Sequence, residues 1–256
     1  MKTIIYPVLI ILLICSIASG QIIRKDEKIR AGFGVSGLLN NDFNTHIDKI
    51  QLNAASLGPE IYAAHFKDHF TVFFEYESEI TRDFSYLVHF QYHSDKVSDT
   101  GFDLENEIEQ GMSNEFYIYE AGLSIAYYFP FIKLGDSDTK VFVGGGGDIS
   151  YVEMTPYYFY YQEPIYLQTI KGNYFGIIFG GRIYIGVEIP FVESLFIQLR
   201  AGYSYRPDKA LAGETDESVR DELNNKGSLM DPLIFEENKI FNFSQAWITV
   251  SMAYKF

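Results

Sequence analysis

Cysteine is all but absent. Cys15 is the only one in 256 residues, and it lies inside the apolar run that opens the chain. Once that run is removed, the protein has no internal disulfide to stabilise it and no thiol to act as a nucleophile. Tryptophan is reduced to one residue and proline to eight, so long stretches keep every backbone N–H available for a sheet ladder. Positive charge is short as well. A net charge of −14 excludes nucleic acid as a partner, because phosphates demand a basic footprint. Beyond residue 20 no apolar stretch reaches the roughly 18 residues of a membrane helix, and no helical periodicity persists over several turns.

What is abundant points towards sheet. Phenylalanine (22), tyrosine (20) and glycine (21) are frequent, and aromatic residues favour pleated surfaces. The patterning has period two. In "DFSYLVHFQYH", Phe84, Tyr86, Val88, Phe90 and Tyr92 fall on one face, with Ser85, Leu87, His89, Gln91 and His93 on the other. Comparable segments at about 29–39, 69–79, 83–94, 115–129, 140–152, 173–189, 195–206 and 245–256 predict eight strands. "EIYAAHF", at 60–66, is either a further strand portion or a loop helix, and a ninth strand would give an odd count that bacterial single-chain barrels disfavour.

The first twenty residues, "MKTIIYPVLIILLICSIASG", have one lysine, an apolar run and then Ala18, Ser19 and Gly20. This is the three-part pattern of a secretory signal peptide, with cleavage expected before Gln21. A lipid-attachment box around Cys15 fits less well, because Ile14 stands where a small residue belongs. The expected organisation is a signal peptide at 1–20, a short periplasmic segment at 21–28 and one β domain at 29–256.

The two faces of the strands separate cleanly. One is uniformly apolar, with Phe33, Val35, Phe70, Val72, Leu123, Ile125, Ile177, Phe179, Ile183 and Leu199 among its members. The other carries Arg30, Glu75, His89, Glu120, Asp148, Arg182, Glu188 and Arg200 among glycine and serine. A water-facing polar side would be rich in lysine, yet the strands contain almost none. Arginine roughly balanced by carboxylates suits charges that neutralise one another inside a narrow lumen. The links alternate too. "SEITRD", "PFIKLGDSDT" and "IPFVES" are short and the intervening ones long, the asymmetry of outer-membrane barrels.

The chain closes on "AWITVSMAYKF", with Ile248, Val250, Met252, Tyr254 and Phe256 at every second position. In this the sequence resembles the small eight-stranded outer-membrane β-barrels of Gram-negative bacteria, the broad group of outer-membrane protein A-like and adhesion-type barrels. The resemblance implies an all-β fold, a single antiparallel up-and-down transmembrane β-barrel with short periplasmic turns and long extracellular loops. It also implies location in the outer membrane, contact with its lipid and lipopolysaccharide, and recognition of those five C-terminal residues by the barrel-assembly machinery. The last strand is expected to close the sheet against "RAGFGVSG". A ligand bound through the loops is compatible with the same class.

Candidate chemistry is thin. "VFVGGGGDIS" lacks the Lys-Ser/Thr pair of a P-loop and the helix of a dinucleotide loop, so Gly144 to Gly147 are expected to relieve crowding beside residues such as Phe142 and Arg182. His93 and Ser94 are adjacent and so point to opposite faces of a strand, while His89 has Glu120 as a partner but no evident hydroxyl beside it. Acidic residues 103, 105, 107 and 109 would line one edge if extended and could hold a hard cation, although solvation is the expectation. "YYFYYQEPIY" is expected to supply an aromatic girdle; sugar or protein contact is the alternative. No catalytic residue, cofactor or metal is therefore expected. The non-enzymatic anchor leads over a lipid-modifying hydrolase, a narrow pore and a soluble lipocalin-like binder.

Overall fold

The computed structural model describes residues 27–39, 42–62, 65–66, 68–130, 139–163, 166–221, 228–230 and 240–256, the side chain of residue 43 apart. The expected signal peptide and residues 21–26 lie outside the described residues. The strands are β1 (Glu27–Leu38), β2 (Asp68–Glu79), β3 (Phe84–Asp103), β4 (Ile108–Tyr128), β5 (Lys140–Gln162), β6 (Tyr166–Val192), β7 (Leu195–Tyr205), β8 (Lys209–Ala210), β9 (Ala212–Asp221), β10 (Ile240–Phe241) and β11 (Gln245–Lys255), with one helix, α1 (Asp42–Ala55).

Eight of these strands form the barrel. The order β5-β4-β3-β2-β1-β11-β7-β6 is antiparallel throughout, and pairing of β5 with β6 closes the ring. Closure leaves the ring without an edge, so every ladder hydrogen bond is made internally, as a lipid surround requires. The last strand does close against the first, with Phe33 opposite Val250 and Arg30 opposite Ala253. β1 begins at Glu27, inside the segment expected to be a periplasmic lead.

Exposed side chains form an apolar band around the ring. Phe33, Val35, Phe70, Val72, Phe74, Leu123, Ile125, Val143, Ile149, Ile177, Phe179, Ile183, Ile185, Leu199, Ile248, Val250 and Met252 all face outwards, several more than half exposed. At one margin Tyr92, Tyr119, Tyr151 and Phe175 run side by side across β3 to β6, with ring centroids 5.2, 6.2 and 6.4 Å apart. At the other, Phe84, Tyr127 and Phe129 cluster, as do Tyr254 and Phe256. Tyr119 and Tyr127 are eight residues apart on one strand, which at ordinary rise and barrel tilt places the two aromatic margins about 20 Å apart across the membrane.

One end of the barrel carries the tight links, such as the β2–β3 turn, where Ile80 N donates to Phe84 O at 2.8 Å. The other end differs from expectation. Two links expected as long loops are largely strand: β3 and β4 continue to a turn at 104–107, while β5 runs on to Gln162 and β6 starts at Tyr166. The hydropathy parity reverses where these strands leave the band, which hides them from a pattern that follows the greasy face. On β4 the inward positions are Glu120, Gly122 and Ser124 within the band, and Ile118, Phe116 and Met112 above it. β3 to β6 thus rise as a wall on one side, to which β9 adds along β6, while β1, β2, β7 and β11 stop near the band.

The wall's inner face packs an apolar core. Phe116, Ile118, Val152, Met154, Tyr158, Tyr160, Ile170 and Tyr174 meet Ile47, Ile50 and Ala54 of α1, and Phe241 and Phe243 of the last link. The helix was not expected. Its apolar spacing of three and four residues supports only this short length, and Asp42 in the first turn opposes the positive end of its dipole. Gln110 Nε2 donates to Ala54 O at 2.9 Å and satisfies a carbonyl at the helix end, while Tyr158 OH donates to Gln110 Oε1 at 2.8 Å. Residues 60–62, 65 and 66 of "EIYAAHF" are neither strand nor helix; 63 and 64 lie outside the described residues.

Candidate functional site, a closed two-tier lumen

Within the band the inward positions build two charged clusters. In the one nearer the turn end, Arg30 Nη1 donates to Glu75 Oε1 at 2.7 Å, and Nη2 reaches Glu77, Glu188 Oε2 at 2.9 Å and Tyr128 OH at 3.1 Å. Lys28 Nζ donates to Glu188 Oε1 at 2.6 Å, Arg200 holds Glu75 with both terminal nitrogens, and Tyr128 OH donates to Glu77 Oε1 at 2.8 Å. Three cations thus face three carboxylates. In the second cluster Arg182 and Arg206 share Glu120 and flank Asp148 at 3.6 and 3.8 Å. His89 Nε2 stands 3.4 Å from Glu120 Oε1. Each cluster is neutral by formal charge, so mutual attraction and hydrogen bonding offset the desolvation cost that each buried charge carries.

All eight residues assigned to a lumen network from the sequence are buried and inward in the structure: Arg30, Glu75 and Glu188 fall in the first cluster with Arg200, and Glu120, Asp148, Arg182 and His89 in the second. The sequence reading missed Lys28, Glu77, Tyr128 and Arg206. The first three share parity with residues it identified (Arg30, Glu75 and Glu120), so strict alternation would have found them. Arg206 lies just past β7 but inside the strand predicted at 195–206, with the parity of Arg200, so alternation pointed to it as well. It anchors the last link as well, with Nη1 donating to Phe243 O at 3.2 Å and its backbone N to Ser244 Oγ at 3.0 Å.

Between the clusters a small cavity is lined by Phe73, Glu75, His89, Gln91, Arg182, Arg200, Trp247 and Thr249. Aromatic faces cover the cations around it, Arg182 over Trp247 at 5.9 Å and Arg200 over Phe73 at 5.1 Å. Glycines admit the large inward rings. A Cβ on Gly144 would strike the Tyr184 ring and one on Gly202 the Trp247 ring, whereas one on Gly147 would meet only Gly180 O at 3.8 Å.

A polar layer separates the second cluster from the apolar core. Thr71 Oγ1 and His93 Nδ1 are 2.8 Å apart, and Ser36 Oγ lies 2.8 Å from Thr71 Oγ1. Gln245 Nε2 donates to His93 Nε2 at 3.2 Å and Gln245 Oε1 accepts from His69 Nε2 at 2.9 Å. Hydroxyls therefore stand beside His93, a pairing the sequence reading did not consider, since it looked for one beside His89. His93 thus lies between the Gln245 amide and the Thr71 hydroxyl, and that hydroxyl is also held by Ser36. All five side chains are buried, and His93 and Ser94 lie on consecutive positions of continuous strand.

The remaining candidates resolve as follows. Asp103 ends β3, and its carboxylate accepts from Glu105 N at 2.9 Å and Asn106 Nδ2 at 2.7 Å, so the acidic residues form a turn in place of one extended edge. Among the described residues no group of three or more histidine, cysteine or carboxylate side chains is placed to hold a metal. Tyr157, Phe159 and Tyr161 face outwards on the wall, above the girdle that Tyr151 joins, and so correct the expectation that this segment forms the girdle. Also above the band, Lys96 Nζ at 2.5 Å and Tyr117 OH at 2.7 Å hold the Glu115 carboxyl below the usual range.

The ring, the lipid-type exterior and the neutralised interior define a small eight-stranded transmembrane β-barrel. Among solved structures it is similar to Neisserial surface protein A (12% identity, TM-score 0.43, covering 90% of this chain and 96% of that one). It is also similar to a major outer membrane protein from Thermus thermophilus (12%, 0.41, 91% and 100%) and to the outer membrane protease OmpT from Escherichia coli (9%, 0.38, 92% and 99%). No family model and no curated protein matches the chain.

Proposed function

We propose that the protein is an integral outer-membrane anchor that displays its loop end outside the cell, with neither catalytic activity nor conductance. The closed lumen carries this reading: two neutral ionic clusters lie in series with an apolar core across the barrel. Such an interior adds rigidity and blocks a water path. The thin apolar band suits the bacterial outer membrane, which is thinner than average. Outer-membrane lipid and lipopolysaccharide are the partners proposed for the band. The assembly machinery is the partner proposed for Ile248, Val250, Met252, Tyr254 and Phe256, and an extracellular ligand the one proposed for the loop end. Fractionation with heat-modifiable gel mobility tests membrane insertion, and planar bilayers test the lumen. Single-channel steps from the purified protein would overturn the plug.

A lipid-modifying hydrolase is the second reading, favoured only by the Thr71–His93 contact. Its test is a lipid A mass profile from cells carrying His89→Ala and His93→Ala. An unchanged profile removes it.

A further inference from the structure

Among the described residues β9 has a neighbour on one edge only. Its ladder to β6 runs unbroken from Tyr166 opposite Asp221 to Phe175 opposite Ala212, and β9 is the terminal strand of the sheet. Over Ala212–Val219 the backbone N–H and C=O groups outside that ladder therefore point away from the wall, a ready template for one more strand. On the wall's other side, Tyr62 N donates to Asp99 Oδ2 at 2.6 Å, and Glu60 O stands 2.6 Å from where a Cβ on Gly101 would be, so residues 59–62 pack against β3. On β9, Glu214, Asp216, Glu217, Ser218 and Val219 are all exposed.

Charge decides what the edge accepts. β9 reads "AGETDESVRD", with four carboxylates and one arginine. A second copy pairing there would bring together two strands that each carry four carboxylates against one arginine, a like-charge pairing that disfavours self-association. A basic strand is attracted. Lys171 of β6 already stands opposite Asp216 on the occupied side. An open groove of about 420 Å³, bounded by Lys171, Asn173, Phe175, Gly213, Glu214 and Asp216, leaves room for long cationic side chains reaching across β9.

We propose that β9 is the docking edge for an extended basic peptide of a partner protein, which joins the wall as a sixth strand with lysine or arginine opposite Glu214 and Asp216. It builds on the display reading only in where the partner comes from. Labelling of Ser218→Cys on intact cells tests display separately.

Binding is measured on the full-length protein folded in uncharged detergent, by fluorescence anisotropy of three labelled ten-residue peptides. One alternates lysine and threonine, one alternates glutamate and threonine, and the third is the basic peptide N-methylated at alternate residues along its pairing edge. The basic peptide is expected to bind saturably and the acidic one not at all. N-methylation should weaken binding roughly tenfold or more, because it removes ladder donors. Glu214→Lys with Asp216→Lys should weaken the basic peptide by a similar factor and admit the acidic one, with heat-modifiable mobility confirming that the variant folds. Absence of basic-peptide binding overturns the proposal. Equal affinity for the methylated peptide also overturns it, since only unspecific charge attraction would remain, and this arm needs no variant.

Discussion

Arg30 shows how much one inward side chain can carry in this barrel. It is fully buried and touches three carboxylates and a phenol, so Arg30→Met strands Glu77 with only the Tyr128 hydroxyl. Loss of one partner from a buried ionic cluster costs about 3–5 kcal/mol. Urea unfolding in detergent should show that loss, and pairing the substitution with Glu77→Gln should recover part of it; a cost below about 1 kcal/mol would mean the lumen is hydrated. The glycine run gives a sharper contrast. Gly144→Val drives a side chain into the Tyr184 ring and should cost about 1–3 kcal/mol, as overpacking does. Gly147→Val faces open lipid and should be neutral or stabilising by up to about 1 kcal/mol, since glycine is a weak strand former. Arg30 was legible because it sits on an unbroken alternating strand. Alternation from Asp148 already turned Gly147 outwards; what was not legible is the Tyr184 ring that lies against Gly144.

At the scale of the element, the β3–β4 hairpin is where sequence and structure part most clearly. Within the band, alternation alone located the strands. Above it water replaces lipid, the apolar side chains turn inwards, and the same strand shows the opposite parity. The strand is recognisable only if a reversal is allowed for. α1 escaped for a related reason, since Ile47, Ile50 and Ala54 make a stripe only about two turns long, close to the length at which propensity alone decides nothing. The hairpin turn carries a testable strain. Glu107 has φ of 54°, a left-handed conformation that costs a side-chain-bearing residue roughly 1–2 kcal/mol. Glu107→Gly should therefore slow amide exchange across the hairpin by about tenfold, and Asp103→Ala, which removes the carboxylate that accepts from Glu105 N and Asn106 Nδ2, should speed it. Unchanged exchange in both would show that the hairpin is held by the α1 core alone.

For the whole molecule, the decisive division is between the band, where the outside is apolar and the inside charged, and the wall, where those roles exchange. A period-two sequence specifies both halves equally well, so the height of that boundary came from burial and not from composition. It predicts how a charge placed on the outer surface behaves with depth. Leu123 and Val250 are exposed within the band, and arginine there must be taken into hydrocarbon, costing about 2–4 kcal/mol near the midplane. Ser113 has the same outward parity on β4 as Leu123 but lies above Tyr119, so Ser113→Arg should change stability by no more than about 0.5 kcal/mol, as at an ordinary surface site. Equilibrium unfolding in lipid bilayers, with the three variants compared in one lipid, reads this gradient directly. Equal small costs at all three positions would mean that the apolar exterior faces something other than lipid, and the membrane-spanning assignment would fall with it. A steep difference between Leu123→Arg and Ser113→Arg, two sites on one strand, would locate the bilayer margin at the Tyr92–Tyr119–Tyr151 row.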